Sequence, residues 1–183
     1  MELSRRTAHL EVAPEEQVFE LSWEVFGELC RALALKVAQS GYHPDLVVGI
    51  AKAGVIPGAV IAAMLRAEFY SMKISRRAGM EQVRARPAIL SAAPRQAAGK
   101  RVLVVDEICT TGTTLRIALN ALRNVHADEV RTATVFTKVG RFKPDFHALE
   151  TNGKVIFPWD RHIVNEYGDV VVNPLYEGLI DAP

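Results

Sequence analysis

Cysteine is scarce in this sequence. Cys30 and Cys109 are the only two among 183 residues, and they match neither a disulfide framework nor zinc-ligand spacing, so reduced thiols in a cytoplasmic setting are expected. Long hydrophobic runs are missing as well. No uninterrupted apolar stretch reaches about 18 residues, and the N-terminus has no apolar segment of the signal-peptide kind, which argues against a membrane span and against export. Net charge is nearly nil, +1 from 22 Lys and Arg against 21 Asp and Glu, so no global field directs the chain to nucleic acid or to a membrane. Two common phosphate-binding patterns, G-x-x-x-x-G-K-[ST] and G-x-G-x-x-G, occur nowhere. Repeats, low-complexity tracts and dividing linkers are also absent. With 49% hydrophobic residues, the chain reads as a single domain over residues 1–183 with ample core.

What is present is centred on Arg101 to Leu115, RVLVVDEICTTGTTL. Val102 to Val105 is a continuous apolar run of the buried-strand type, and Leu115, Ala118, Leu119 and Leu122 fall at helical spacing. Earlier, Ser22 offers an N-cap to a helix carrying Phe26, Leu29, Cys30, Leu33 and Val37, which Gly41 ends. Leu46 to Ile50 predicts a second buried strand, followed by AKAG and a helix from about Val55 to Arg66 with Pro57 in its first turn. Glu68 to Ile74 and Val130 to Thr137 predict further strands. Weaker signals mark an edge strand around Leu10 to Val12 and a short one near Ala88 to Leu90, inside a long loop from Ser75 to Gly99. After Lys138 a polar connection through Pro144 leads to an apolar run, Val155 to Phe157. Strands alternating with helices predict an α/β fold, a mainly parallel sheet flanked by helices.

The loop after Val105 has the chemistry for a sugar phosphate. Asp106 and Glu107 supply two carboxylates suited to polyol hydroxyls or Mg2+. Thr110, Thr111, Thr113 and Thr114 supply hydroxyl donors, and Gly112 permits close backbone approach at a helix N-terminus that favours an anion. Ala51, Lys52, Ala53 and Gly54 form a second strand-to-helix turn at the same edge of the sheet, so two anion sites would be neighbours. Between Ser71 and Arg101, eight Lys or Arg face a single acid, Glu81, which makes a local basic segment in an otherwise neutral chain.

The stretch VLVVDEICTTGTT resembles the phosphoribosyl pyrophosphate (PRPP) signature of type I phosphoribosyltransferases: an apolar strand, two acids, three variable residues and a T-G-x-T phosphate loop. The resemblance extends over roughly residues 20–165. It implies that fold, with a small hood built from the termini and about 138–160. It implies that Asp106 and Glu107 hold the ribose hydroxyls and a Mg2+ ion, and that Thr110 to Thr114 wrap the 5-phosphate. Ala51 to Gly54 resembles the pyrophosphate loop, where the family often has a cis peptide, here Ala51–Lys52. Asp106, Glu107 and Lys52 would be the catalytic set. VFTKVGRFKPDF and KVIFPWD resemble the acceptor pocket of the purine branch. There Lys138 would donate to a purine O6, Val155 would offer its carbonyl, Phe157 would contact the base and Asp160 would lie near metal or pyrophosphate.

The function so implied is transfer of ribose 5-phosphate from PRPP to a nucleobase, a 6-oxopurine such as hypoxanthine, guanine or xanthine, with release of pyrophosphate. Partners would be PRPP and the base, with no nucleic acid or membrane, in a homo-oligomer of two or four copies. Two departures stand out. Lys154 occupies the position of the branch's usual stacking aromatic, and Thr110 that of an acid that manages the proton on purine N7. Two alternatives remain open: a PRPP-sensing regulator that binds nucleic acid, and a phosphoribosyltransferase for a pyrimidine or another base.

Overall fold

The computed structural model describes residues 17–78, 81–82, 84–140 and 142–180. In chain order the strands and helices are β1 (Val18–Glu20), α1 (Trp23–Gln39), β2 (Leu46–Ala51), α2 (Val55–Leu65) and β3 (Glu68–Ser75). Next come β4 (Arg77–Ala78), β5 (Glu81–Gln82), β6 (Ala88–Ser91), β7 (Arg101–Cys109), α3 (Thr113–Asn124) and β8 (Glu129–Thr137). The chain closes with β9 (Phe146–Glu150), β10 (Lys154–Ile156), β11 (His162–Val164) and β12 (Val170–Val172).

Six strands form the central sheet in the order β6-β3-β2-β7-β8-β9. All neighbours are parallel except β6, which runs antiparallel to β3. The apolar runs of β2 and β7 take the middle because only there are both faces covered; Val102, Leu103, Val104 and Val105 are all fully buried. Alternation along the strands then divides the core in two. Val47, Leu103 and Val105 pack under α1 and α2 with Phe26, Leu33, Val37 and Ile61, whereas Val48, Val102 and Val104 pack under α3 with Leu115, Ala118 and Leu122. Truncating one such residue, Leu103→Ala for example, would destabilise the fold by roughly 2–5 kcal/mol.

The helix boundaries follow from their ends. The Ser22 hydroxyl accepts from the Val25 N–H at 3.2 Å, Glu24 sits in the first turn of α1, and Gly41 leaves the helix at φ 79°. The predicted strands at Leu46, Glu68, Ala88, Arg101 and Val130 and the helices after Ser22, Gly54 and Gly112 are all present.

The structure corrects several expectations. The connection after Pro144 is not merely polar loop: Phe146–Glu150 is β9, the edge strand of the main sheet, in parallel register with β8 through Ala133↔Phe146 and Thr137↔Glu150. An edge strand with four half-buried residues shows little alternation, so its pattern was mute. Part of the expected hood over 138–160 therefore belongs to the core sheet. What stands apart is the parallel pair β1-β10 and the antiparallel hairpin β11-β12. The long segment after Ser75 also contains a short β4-β5 ladder and β6. The edge strand expected around Leu10 to Val12 lies outside the described residues.

Candidate active site

The chain leaves β2 towards β3 on one side and leaves β7 towards β8 on the other, with α2 and α3 on opposite faces. The C-terminal ends of β2 and β7 thus flank a topological switch point, where the outgoing loops diverge and leave a crevice. A cavity of about 430 Å³ lies there. One wall is Asp106, Ile108, Cys109 and the run Thr110 to Leu115; the other is Ile74, Ser75, Arg76 and Pro87.

The three helices differ at their N-termini. Helix α1 is capped by its own Ser22, but α2 and α3 begin at Gly54 and Gly112, with no side-chain cap and no acid in the first turn. In α2 the first N–H groups are taken up locally, Val55 by the Lys52 carbonyl at 3.2 Å and Ile56 by that of Ala53 at 3.1 Å. In α3 the Thr113 N–H reaches only the Thr111 hydroxyl, at 3.4 Å, and Gly112 sits in the left-handed region at φ 72°. Uncapped amide groups, the positive end of a helix dipole and the exposed hydroxyls of Thr110 and Thr111 converge on the cavity, a geometry that accepts a phosphate.

Asp106 and Glu107, expected in a turn after Val105, lie inside β7, which stays in register with β8 as far as Cys109; Asp106 has 9% of its surface exposed. Its Oδ1 accepts from the Glu107 N–H at 3.1 Å. Burial, followed by the charge of the adjacent Glu107, holds its carboxyl well above the usual carboxylate range. A hydroxyl-rich or cationic ligand would relieve both effects. Gly54 makes this packing possible: a Cβ there would stand 2.7 Å from Asp106 Oδ1 and 2.8 Å from the carbonyls of Ile50 and Val105. The AKAG turn is thereby pressed against the acid of the neighbouring strand, and the Ala51–Lys52 peptide is cis, as the sequence resemblance implied. The Lys52 side chain is exposed.

Among the described residues no group of three or more His, Cys, Asp and Glu is placed to hold a metal. Two adjacent carboxylates whose charges oppose each other nevertheless suit Mg2+, which commonly binds through one or two carboxylates together with substrate phosphates. Asp106 and Glu107 fit an ion that enters with a diphosphate. Asp160 lies outside the cavity lining; its N–H donates to the Phe157 carbonyl at 2.9 Å and its carbonyl accepts from Asn173 Nδ2 at 2.8 Å. Both cysteines are buried, and burial raises both thiols, Cys30 to about 12.

The acceptor-side residues form a second group beyond this cavity. Lys138 follows β8 directly, and its ammonium donates to the carbonyls of Asn152 at 2.8 Å and Gly153 at 2.7 Å. Val155 lies in β10 opposite Phe19 of β1. Phe157 is buried, its ring stacked on Trp159 at 4.8 Å and edge-on to Phe136 and Phe26, so the ring is part of the core. Lys154 is exposed, with its ammonium 5.0 Å from the Tyr176 ring centroid.

Sequence reasoning missed Ile74, Ser75, Arg76 and Pro87 as cavity residues. Arg76 was visible only as one of eight cations in the basic segment; its place opposite the threonine loop follows from β3 and β7 flanking β2 with their C-terminal ends on the same side of the sheet, which no local pattern encodes.

A family model described as phosphoribosyl transferase domain matches residues 21–167. Xanthine-guanine phosphoribosyltransferase of Nitratidesulfovibrio vulgaris is 28% identical over 151 residues, 80% of this chain and 87% of that protein. Transcriptional regulator GfcR 2 of Methanosarcina barkeri is 29% identical over 136 residues, 68% of this chain and 66% of that protein. The crystal structure of purine phosphoribosyltransferase from Pyrococcus horikoshii superposes with a TM-score of 0.68 at 24% identity, over 81% of this chain and 98% of that one, a likeness of fold. The threonine loop and Asp106 line the cavity, whereas Glu107 and the turn Ala51 to Gly54 are not among its lining residues. With most of its length matched by the family model, this chain belongs to the phosphoribosyl transferase domain family.

Proposed function

We propose that this chain is a purine phosphoribosyltransferase, moving ribose 5-phosphate from PRPP to a 6-oxopurine and releasing pyrophosphate. The observation that carries this reading is the cavity in which the uncapped N-terminus of α3 and the buried Asp106 face the same space. Thr110 to Thr114 hold the 5-phosphate through hydroxyls and amide groups. Asp106 and Glu107 accept from the ribose hydroxyls. A purine nitrogen bonds to the anomeric carbon as the bond to the pyrophosphate oxygen breaks, the electron pair leaves with pyrophosphate, and the proton of the imidazole ring is released to solvent. The Lys52 ammonium stabilises the charge that gathers there, while positioning of both reactants contributes much of the remainder. Mg2+ held by Asp106 and Glu107 would supply further charge neutralisation at the diphosphate.

Lys138 is the basis for preferring a 6-oxopurine. Its ammonium is oriented by two backbone carbonyls and donates but cannot accept, which favours an oxygen at purine C6 over an amino group. The xanthine-guanine specificity named for the Nitratidesulfovibrio relative supports the same choice. Rates with PRPP, Mg2+ and guanine, xanthine, hypoxanthine, adenine or uracil test the proposal. We expect one of the three 6-oxopurines to lead; turnover confined to adenine or uracil, or none with any base, would overturn it. The relationship to a transcriptional regulator favours a second reading, a PRPP sensor that binds DNA. Turnover in the absence of nucleic acid separates the two.

The described chain would act as one domain in the cytoplasm and assemble with further copies of itself. Helix α2, VIPGAVIAAML, has no polar side chain, yet Val60 and Met64 are 38% and 44% exposed. A helix apolar on every side is normally buried. Met64→Glu should lower the oligomeric mass measured by light scattering.

A further inference from the structure

Gly112, which closes the cavity and begins α3, is overlaid from outside by one aromatic ring. A Cβ at Gly112 would stand 2.2 Å from Phe142 Cγ, 2.3 Å from its Cβ and 2.5 Å from Cδ1. Phe142 therefore occupies the volume that a side chain at Gly112 would need. It comes from the connection between β8 and β9, and it does not line the cavity. Two further contacts seat it, and a third ties down the start of its connection. The Cys109 thiol donates to the Phe142 carbonyl at 3.6 Å, the Arg116 guanidinium stands 4.9 Å from the ring centroid, and the Lys138 N–H at the start of the connection donates to the Cys109 carbonyl at 2.9 Å.

We propose that Phe142 is a positioning residue for the phosphate loop, pinning Gly112 in its left-handed conformation so that the amide groups opening α3 stay aimed into the cavity. Glycine populates both signs of φ almost equally, so Gly112 does not choose φ 72° by itself. A ring packed against its α-carbon from one side and anchored to the strand end at Cys109 and to the first turn of α3 at Arg116 removes the alternatives. The N–H groups of Thr113 to Leu115 are then preorganised, and an arriving phosphate does not have to order them. The residue acts through the loop and touches no reacting atom. The inference rests on the proposed function, in that the anion is taken to be the 5-phosphate of PRPP.

The test compares wild type with Phe142→Ala, Phe142→Leu and Phe142→Tyr. Binding of ribose 5-phosphate alone, KM for PRPP, KM for the preferred purine and amide exchange are measured in each. In Phe142→Ala we expect affinity for ribose 5-phosphate to fall and KM for PRPP to rise about tenfold, equivalent to about 1.4 kcal/mol, with KM for the purine changed less than about twofold. Phe142→Leu should lie between, and Phe142→Tyr should restore wild-type values. Amide exchange at Arg116, whose N–H donates to the Gly112 carbonyl at 2.9 Å, should accelerate in Phe142→Ala without ligand while the core strands keep their protection. Unchanged PRPP kinetics in Phe142→Ala, or equal rises in both KM values with general loss of protection, would overturn the assignment. If wild type binds no ribose 5-phosphate and turns over no base, the functional reading falls, and the exchange experiment alone decides whether Phe142 orders the loop.

Discussion

The two edges of the central sheet carry similar residue types and use them in opposite ways. At the N-terminal edge, Asp45 accepts from the Arg101 backbone N–H at 2.9 Å, from its Nε at 3.1 Å and from its Nη2 at 2.9 Å. Arg131 donates to Glu129 at 2.7 Å and lies 4.5 Å from the Tyr42 ring centroid, and the Tyr42 hydroxyl donates to the Val102 carbonyl at 2.8 Å. At the C-terminal edge, Asp106 receives one short-range bond from its own neighbour, Lys52 is exposed and α3 is uncapped. The carboxyls record the difference. The Arg101 guanidinium holds Asp45 well below the usual carboxylate range, while burial and Glu107 hold Asp106 above it. One edge is complete within the protein and stabilises the fold. The other is left incomplete, and in the proposed function PRPP would complete it.

The sharpest way to break this comparison is to neutralise the acids at the ligand edge. Asp106→Asn with Glu107→Gln should lower kcat/KM for PRPP by about a hundredfold or more, in line with removal of groups that act on transition-state charge. The same change should not lower the melting temperature of the ligand-free protein. Removing a desolvated acid that stands beside another acid is expected to raise it by roughly 2–4 °C, the equivalent of about 1 kcal/mol in a chain of this size. Calorimetry and initial rates on the same preparation check both halves. A folded double mutant with near-normal turnover would remove Asp106 and Glu107 from the site.

Gly54→Ala addresses the contact between the two loops. The added Cβ would meet Asp106 Oδ1 and two backbone carbonyls that cannot move freely, so the AKAG turn must shift away from β7. KM for PRPP should rise about tenfold, roughly 1.4 kcal/mol, with a smaller effect on the purine KM. Equal effects on both substrates would mean that the turn serves the whole site and not the PRPP half.

These contacts also mark where sequence legibility ends. The strands β2, β7 and β8, the helices after the first two and the two loops were readable because buried parallel strands are continuous apolar runs and because Gly, Thr and paired acids punctuate them. Nothing local shows that Gly54 touches Asp106, that Phe142 covers Gly112 or that Arg76 faces Thr110. Those pairs are distant in the chain and meet only through strand order. The hairpin β11-β12 is a different case. Its strands, His162–Val164 and Val170–Val172, contain five β-branched residues in six and flank a turn with Gly168 at φ 89°, a signal that was present in the sequence. Phe157 misled for a physical reason, since aromatic residues next to Pro158 serve a core as readily as a base pocket, and here Phe26, Phe136 and Trp159 surround the ring.

At the opposite edge, Tyr42→Phe removes the buried hydroxyl that caps the Val102 carbonyl and leaves the ring under Arg131. A lost buried hydrogen bond is worth about 1 kcal/mol, so the melting temperature should fall by roughly 2–4 °C. Both KM values should stay within twofold, estimated from the distance between the two edges and the usual additivity of remote sites, about 0.3–0.5 kcal/mol. A loss of PRPP affinity would show that the two edges are coupled.

The smallest expected effect concerns Asp45 and has a pH signature. Its side chain and that of Arg101 are 35% and 42% exposed, so solvent screens the pair and the shift in melting temperature for Asp45→Asn at neutral pH should be about 2 °C or less. The direction is fixed by linkage. Asp45 has a lowered carboxyl pKa in the folded state, so the stability it contributes is present above the unfolded value of about 3.9 and is lost as pH falls through the folded value. Wild type should therefore melt above Asp45→Asn near pH 7, and the gap should close progressively below about pH 4. Raising salt at pH 7 should narrow it too, because exposed charges are screened over about 10 Å at 0.1 M. A gap that persisted unchanged at low pH would mean that the Arg101 N–H bond, which asparagine also satisfies imperfectly, and not the charge, is what Asp45 provides to this edge.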